Sequence, residues 1–256
     1  MDNGVPGPVH PPFAEPRASF WSAHRRRPVL LLLLAAGLIL FLIGLPGGAR
    51  ASLGMALRAH RGLIVLLGLF ALLTLSLILS AGQRLDTRIF LIINLQAHPK
   101  WLDRFMGAAT QLGNMLTALI AALLLFLGNN RGLAFEIILG TLTLWLVVET
   151  IKALTDRTRP FLDLEGTRVI GWREPGRSFP SGHTAQVFFL ATLLGYRFSP
   201  GAGGIAVLYA VAALVGFTRM YVGVHYPRDV IGGAVLGSVW GILATLVDPY
   251  WLGLRF

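Results

Sequence analysis

The chain has 256 residues, 55% of them hydrophobic and 13% charged, against roughly a quarter charged in a soluble globular domain. With a mean hydropathy of +0.68 and several apolar runs near the roughly twenty residues of a bilayer span, the chain reads as a polytopic membrane protein. That excludes a soluble enzyme, a disordered chain and a nucleic-acid module. The net charge is +10, and Arg supplies 20 of the 22 bases. They lie in short segments between apolar runs, where they contact lipid head groups, set topology or bind an anionic substrate. With no cysteine, disulfides, thiolate nucleophiles and Cys-ligated metals are excluded.

Residues 1–28 are polar and Pro-rich, end in Arg25-Arg26-Arg27, and read as a disordered tail. Seven apolar segments follow, at 29–45, 63–81, 107–127, 133–151, 183–198, 203–218 and 229–247. Only a helix satisfies its own backbone in lipid, so the predicted fold is an all-α polytopic bundle: about six core transmembrane helices plus one extra N-terminal apolar helix. The organisation is a tail (1–28), the extra helix and its loop (29–62), a core helical bundle (63–248) and a short C-terminal tail (249–256). Arg25–Arg27, the 17-residue apolar run and Ala49-Arg50-Ala51 also imitate a signal peptide. An uncut span is favoured, because both the run and the tail before it exceed the usual lengths. Residues 82–106 alternate apolar and charged positions and predict a short interfacial amphipathic helix. Residues 152–182 form the longest loop.

Three polar clusters flank the later runs. The first is Lys152…Asp156-Arg157-Thr158-Arg159-Pro160. The second is Pro180-Ser181-Gly182-His183. The third is Arg219…His225-Tyr226-Pro227-Arg228-Asp229. Counting crossings from residue 133 brings all three to one membrane surface. Lys152, Arg159 and Arg219 can surround an anion with charge-assisted donors, and a guanidinium matches phosphate oxygens bidentately. Ser181 and Gly182 open a helix whose free N–H groups and positive dipole end favour an anion. Ser181 alone reads equally as an N-cap. His225 and Asp229 are spaced i, i+4, so the carboxylate can hold one ring nitrogen and leave the other as nucleophile. His183 remains as a proton donor. On residue chemistry alone the two histidines are interchangeable. No Asp/Glu/His cluster has metal-ligand spacing, so neither metal nor other cofactor is expected.

These residues resemble the type 2 phosphatidic acid phosphatase family, which shares its site with vanadium haloperoxidases. Its pattern is Lys, six residues, Arg-Pro; then Pro-Ser-Gly-His; then Ser-Arg, five residues, His, three residues, Asp. The match runs over roughly 82–248, and the one departure is Thr218 in place of Ser. The resemblance implies His225 as the nucleophile that becomes phosphohistidine, Asp229 as its orienter and His183 as acid and then base. Lys152, Arg159, Ser181, Gly182 and Arg219 would bind the phosphoryl oxygens. It also implies a membrane lipid phosphate or diphosphate as substrate: undecaprenyl diphosphate, phosphatidylglycerophosphate, phosphatidic acid or phosphorylated lipid A. A lipid-phosphate transporter, a haloperoxidase and a phosphatidyl-group transferase are the competing functions. Arg157 and Asp156 match no motif position and read as structural. Glu136 and Glu149 read as snorkelling near span ends, and Gly223, Gly232, Gly233, Gly237 and Gly241 as close helix packing.

The expected location is a bacterial plasma membrane with the site on the extracytoplasmic face. The positive-inside count runs the other way, with sixteen bases on the site's side and six opposite. Nothing in the sequence sets an oligomeric state.

Overall fold

The computed structural model describes residues 59, 61–77, 80–96 and 98–251. The predicted tail 1–28 and the run 29–45, with its signal-peptide alternative, lie outside the described residues. Among the described residues all regular structure is helical. In chain order it comprises α1 (Arg61–Ser76), α2 (Ser80–Asn94), α3 (Lys100–Ala109), a 3-10 turn (Thr110–Gly113), α4 (Met115–Leu127), α5 (Arg131–Thr155), α6 (Pro160–Asp163), α7 (Gly182–Phe198), α8 (Gly201–Tyr221) and α9 (Pro227–Trp251).

Two stretches, Arg131–Asp163 and Gly201–Tyr221, are long and apolar enough to cross a bilayer, and two bent pairs raise this to four if each pair is one span. Leu124, Leu127, Leu146 and Val207 are each more than 60% exposed. Large apolar side chains left outward on several helices belong in lipid rather than water. The protein is an integral membrane protein.

The apolar runs at 63–81 and 107–127 are not straight helices. The first stops at Ser76 and turns into α2 through 95°. The second breaks at Asn114 with a bend of 60°. Asn114 is extended there and its side chain accepts from the Leu116 N–H at 3.0 Å, capping α4. Gly113, just before the break, sits so close to the His183 carbonyl that a Cβ would lie 2.6 Å from it. The break therefore seats this turn against the start of α7. Apolar periodicity does not register it, because both halves are apolar.

Residues 82–106 hold two helices rather than one short one. On α2, Asp86, Phe90 and Asn94 recur every fourth residue and are all buried, so this helix turns a partly polar face inward. Asn94 Nδ2 donates to the Arg168 carbonyl at 2.8 Å and the Tyr221 carbonyl at 3.0 Å, and its Oδ1 accepts from the Arg168 N–H. That side chain ties the long loop to the end of α8. Glu136 does not snorkel; it pairs with Arg197, joining α5 to α7.

The central packing is α9 on α7. Gly233, Gly237 and Gly241 fall one per turn on the facing side. A Cβ at Gly233 would lie 2.5 Å from the Ser181 carbonyl, and one at Gly237 would overlap the Ala185 carbonyl. Neither backbone can retreat, so the two helices touch main chain to main chain. Gly237→Val is expected to destabilise by about 1–3 kcal/mol through overpacking, read as a lowered unfolding midpoint in detergent. Gly203, with nothing within 4 Å, is the control position. Equal midpoints for Gly237→Val and Gly203→Ala would contradict the packing argument.

Candidate active site

The three clusters meet at one end of the bundle, held first by backbone contacts. The Ser178 N–H donates to the Arg157 carbonyl at 2.7 Å, the Ser181 N–H to the Asp229 carbonyl at 2.9 Å, and Thr155 Oγ1 to the Phe179 carbonyl at 3.1 Å. The chain passes from α8 to His225 through Gly223 at φ +90°, where a Cβ would collide with the Arg168 carbonyl. Gly223 is thus a turn glycine rather than a packing glycine. The His225 N–H then donates to the Arg219 carbonyl at 3.2 Å.

Asp229 is fully buried at the start of α9. Its Oδ2 accepts from the Tyr226 N–H at 2.8 Å, reaching back one turn as in a capping box, which places the carboxylate beside His225. The contact between them is indirect. Asp229 Oδ2 is 3.6 Å from His225 Nδ1, beyond a hydrogen bond. Ser178 lies between, its Oγ donating to Asp229 Oδ2 at 2.5 Å and standing 3.4 Å from His225 Nδ1.

The other ring nitrogen, Nε2, is 3.3 Å from Arg159 Nη1. A guanidinium only donates, so Nε2 carries a lone pair and the ring proton sits on Nδ1, facing Ser178. The same Nη1 donates to the Val224 carbonyl at 3.1 Å, and Arg159 Nε to the Gly176 carbonyl at 3.3 Å. His225 is buried. Desolvation first, and then the charges of Arg159 and Arg219, push its imidazole well below its ordinary value of 6.5, so the ring is neutral at pH 7.

Beside His183, and against both arginines, lies a carboxylate that sequence reasoning missed. Glu174 Oε2 is 3.3 Å from Arg159 Nη2, Oε1 pairs with Arg219 Nη2, and Oε1 is 3.9 Å from His183 Nδ1. Burial opposes its ionisation, but the charges around it, that of Arg219 foremost, hold the carboxyl well below the usual carboxylate range. Arg219 also donates from Nη1 to Thr110 Oγ1 at 2.7 Å, and its Nε is buried without a hydrogen-bond partner. The pocket thus holds an anion already and keeps a donor unused.

The remaining expected residues are placed less directly. Ser181 is the N-cap of α7; its Oγ accepts from the Thr184 N–H and from Thr184 Oγ1 at 3.0 Å, which turns it into the helix. Gly182 is the first residue of α7, and a Cβ there would meet only Val148. Lys152 pairs with Glu149 at 2.8 Å at the edge of the site, and its charge adds to those acting on His225. Thr218 Oγ1 donates to the Val215 carbonyl in its own helix. Among the described residues no group of three His, Cys, Asp or Glu converges as a metal donor set.

Comparison with known proteins bears on this geometry. The PAP2 superfamily model matches residues 133–252, the stretch that carries all three clusters. An undecaprenyl-diphosphatase of Sulfolobus acidocaldarius is 27% identical over 188 residues, covering 72% of this chain and 90% of that protein. A lipid A 4'-phosphatase of Bacteroides thetaiotaomicron is 32% identical over 174 residues, covering 62% of this chain and 75% of that protein. The crystal structure of a transmembrane PAP2-type phosphatidylglycerolphosphate phosphatase from Bacillus subtilis superposes with a TM-score of 0.64 at 24% identity, over 75% of this chain and 98% of that one, a likeness of fold. With the matched segment, the relatives and the fold in agreement, the chain belongs to the PAP2 superfamily.

Proposed function

We propose that the protein hydrolyses a membrane lipid phosphate or diphosphate through a phosphohistidine intermediate, without a metal. The observation that carries this reading is the half-buried Glu174 carboxylate, held by Arg159 and Arg219, with His183 beside it and His225 against the same Arg159. A phosphoryl group offers the same guanidinium-binding oxygens with more charge. On entering, it displaces the carboxylate and takes up the unused Arg219 Nε.

The His225 Nε2 lone pair then attacks phosphorus, the bond from phosphorus to the lipid oxygen breaks, and His183 gives that oxygen its proton. The imidazole gains positive charge as the N–P bond forms, and Asp229, with Ser178 between, faces the nitrogen that carries the ring proton. Water next attacks phosphorus while His183 takes its proton. The N–P bond breaks, and inorganic phosphate leaves with His225 restored. Lys152, Ser181 and Gly182 complete the phosphate-binding set, Lys152 through its charge and Ser181 and Gly182 by opening α7 toward the pocket.

This reading has six core helices, 63–248, crossing a bacterial plasma membrane, with the site on the extracytoplasmic face at head-group level and the lipid tail left in the bilayer. Reporter fusions after Gly128 and after Val247 test the face; an inside-only reporter silent at both would reverse it.

The function is tested by phosphate release from undecaprenyl diphosphate, phosphatidylglycerophosphate, phosphatidic acid and lipid A, each with and without EDTA. Release from at least one, unchanged by chelator, is expected. No release from any of them, or a loss with EDTA that added metal reverses, would overturn it.

The depressed His225 also sets a pH dependence. The nucleophile is lost only as pH falls through its lowered value, so the acid limb of kcat/KM lies below 6.5, after correction for a phosphomonoester's own ionisation near about pH 6. A corrected limb at or above 6.5 would contradict it.

A further inference from the structure

Arg157 is the second arginine of the first cluster, two residues before Arg159, and it makes no contact with Glu174 or with either imidazole among its hydrogen bonds. Its side chain is nonetheless 9% exposed and engaged at every face. Nη1 donates to Asp229 Oδ1 at 2.6 Å. Nη2 donates to Gln83 Oε1 at 2.8 Å and to Asp86 Oδ2. The guanidinium lies over the Tyr226 ring, 4.5 Å from its centroid, and the Arg157 carbonyl holds the Ser178 N–H. Asp86 in turn accepts from Arg228, from the backbone N–H at 3.1 Å and from Nε at 2.6 Å.

We propose that Arg157 is a positioning residue for the phosphatase reaction: anchored by Asp86 of α2, its guanidinium takes one oxygen of Asp229, leaving the other to Ser178 and so to His225. The physical reason is the division of lone pairs. Asp229 Oδ2 serves Tyr226 N–H and Ser178 Oγ, whereas Oδ1 faces Arg157. A carboxylate freed on one side rotates, and a rotation at Asp229 moves Ser178 off the ring nitrogen. The planar guanidinium holds Asp229 through Nη1 and Asp86 through Nη2, and an ammonium, with one nitrogen, cannot hold both in those directions. Asp86 lies on a helix outside the segment matched by the family model, so the aim of the nucleophile depends on an element the three clusters do not include.

The inference rests on His225 being the nucleophile. The test is a double-mutant cycle between Arg157→Gln and Asp229→Asn in the purified full-length protein, assayed with dioctanoyl phosphatidic acid in detergent micelles. Arg157→Gln is expected to lower kcat by about 10- to 100-fold, the usual reach of residues behind a reacting group, with KM changed by less than about 2-fold because the pocket is untouched. In the Asp229→Asn background the same substitution costs less than about 3-fold, since the path it acts through is already broken. Arg157→Lys falls between Gln and wild type. An equal loss in both backgrounds, or a raised KM at unchanged kcat, overturns the proposal. Should Arg157→Gln fail to fold, Asp86→Asn takes its place in the cycle; a wild-type kcat for Asp86→Asn, or an equal loss in both backgrounds, overturns it. His225→Ala is run alongside: retained turnover there rejects the nucleophile, whereas lost turnover with an additive cycle rejects Arg157 alone.

Discussion

Replacing His225 with alanine is expected to lower kcat at least about 1,000-fold, because removing a nucleophile removes the covalent route and leaves only binding and charge stabilisation. The loss is specific to chemistry. Arg159 and Arg219 keep their own partners in Glu174, Thr110 and the loop carbonyls, so the variant still binds vanadate or phosphate competitively against substrate. The intermediate gives a second reading. An N–P bond is labile in acid and stable in base, so wild-type enzyme quenched in alkali during turnover of a labelled phospholipid retains acid-labile label, and His225→Ala retains none. His183→Ala separates the two imidazoles. It loses the proton donor but keeps Nε2, and a substrate with a good leaving group, such as a nitrophenyl phosphate, restores phosphoenzyme formation in that variant and not in His225→Ala. Label on His225→Ala, or turnover near wild type, would assign the nucleophile elsewhere.

How much of this was legible beforehand divides along physical lines. The three clusters are sequence objects: charged and polar side chains at span ends, where an apolar run must stop. Their meeting on one surface is what counting crossings from residue 133 predicts, and the two bent runs lie before that count begins. What could not be read is whatever depends on a third body. Ser178 stands between His225 and Asp229 because the loop before α7 passes there; spacing alone gives His225 and Asp229 a direct contact. Glu174 lies in the middle of an Arg-rich loop, where an acid reads as a solvated neighbour of its bases. It sits in the pocket because two buried guanidiniums need a counter-charge. Asp86 reads as one polar position of an interfacial helix; its burial depends on the start of α9 packing over it. Ser181 was readable as a cap or as a phosphate ligand, and its hydroxyl serves the helix. The Glu136–Arg197 pair joins positions 61 residues apart, a separation no local pattern bridges.

Arg159→Lys is expected to be nearly as damaging as Arg159→Ala, although the charge is kept. Arg159 is 1% exposed, and its guanidinium divides five contacts among three groups. Nε and Nη2 hold the Pro175 and Gly176 carbonyls and Glu174; Nη1 holds the Val224 carbonyl and faces His225 Nε2. The side chain therefore binds the anion, fixes the loop that frames the pocket and marks the nitrogen that attacks. An ammonium has one centre and cannot span those directions. Breaking one partner of a buried charge pair costs about 2–5 kcal/mol, so kcat/KM is expected to fall by about 30-fold to several thousand-fold. The alanine variant additionally leaves Glu174 with Arg219 as its remaining strong counter-charge. A double variant, Arg159→Lys with Glu174→Gln, separates the functions. It removes the competing carboxylate, so phosphate or vanadate affinity recovers toward wild type, while kcat stays low because the loop and His225 have lost their common anchor. The measurement is the inhibition constant for vanadate beside kcat in the single and double variants. If Arg159→Lys retained wild-type kcat/KM, charge alone would suffice at this position and the fork geometry would have no part in the reaction.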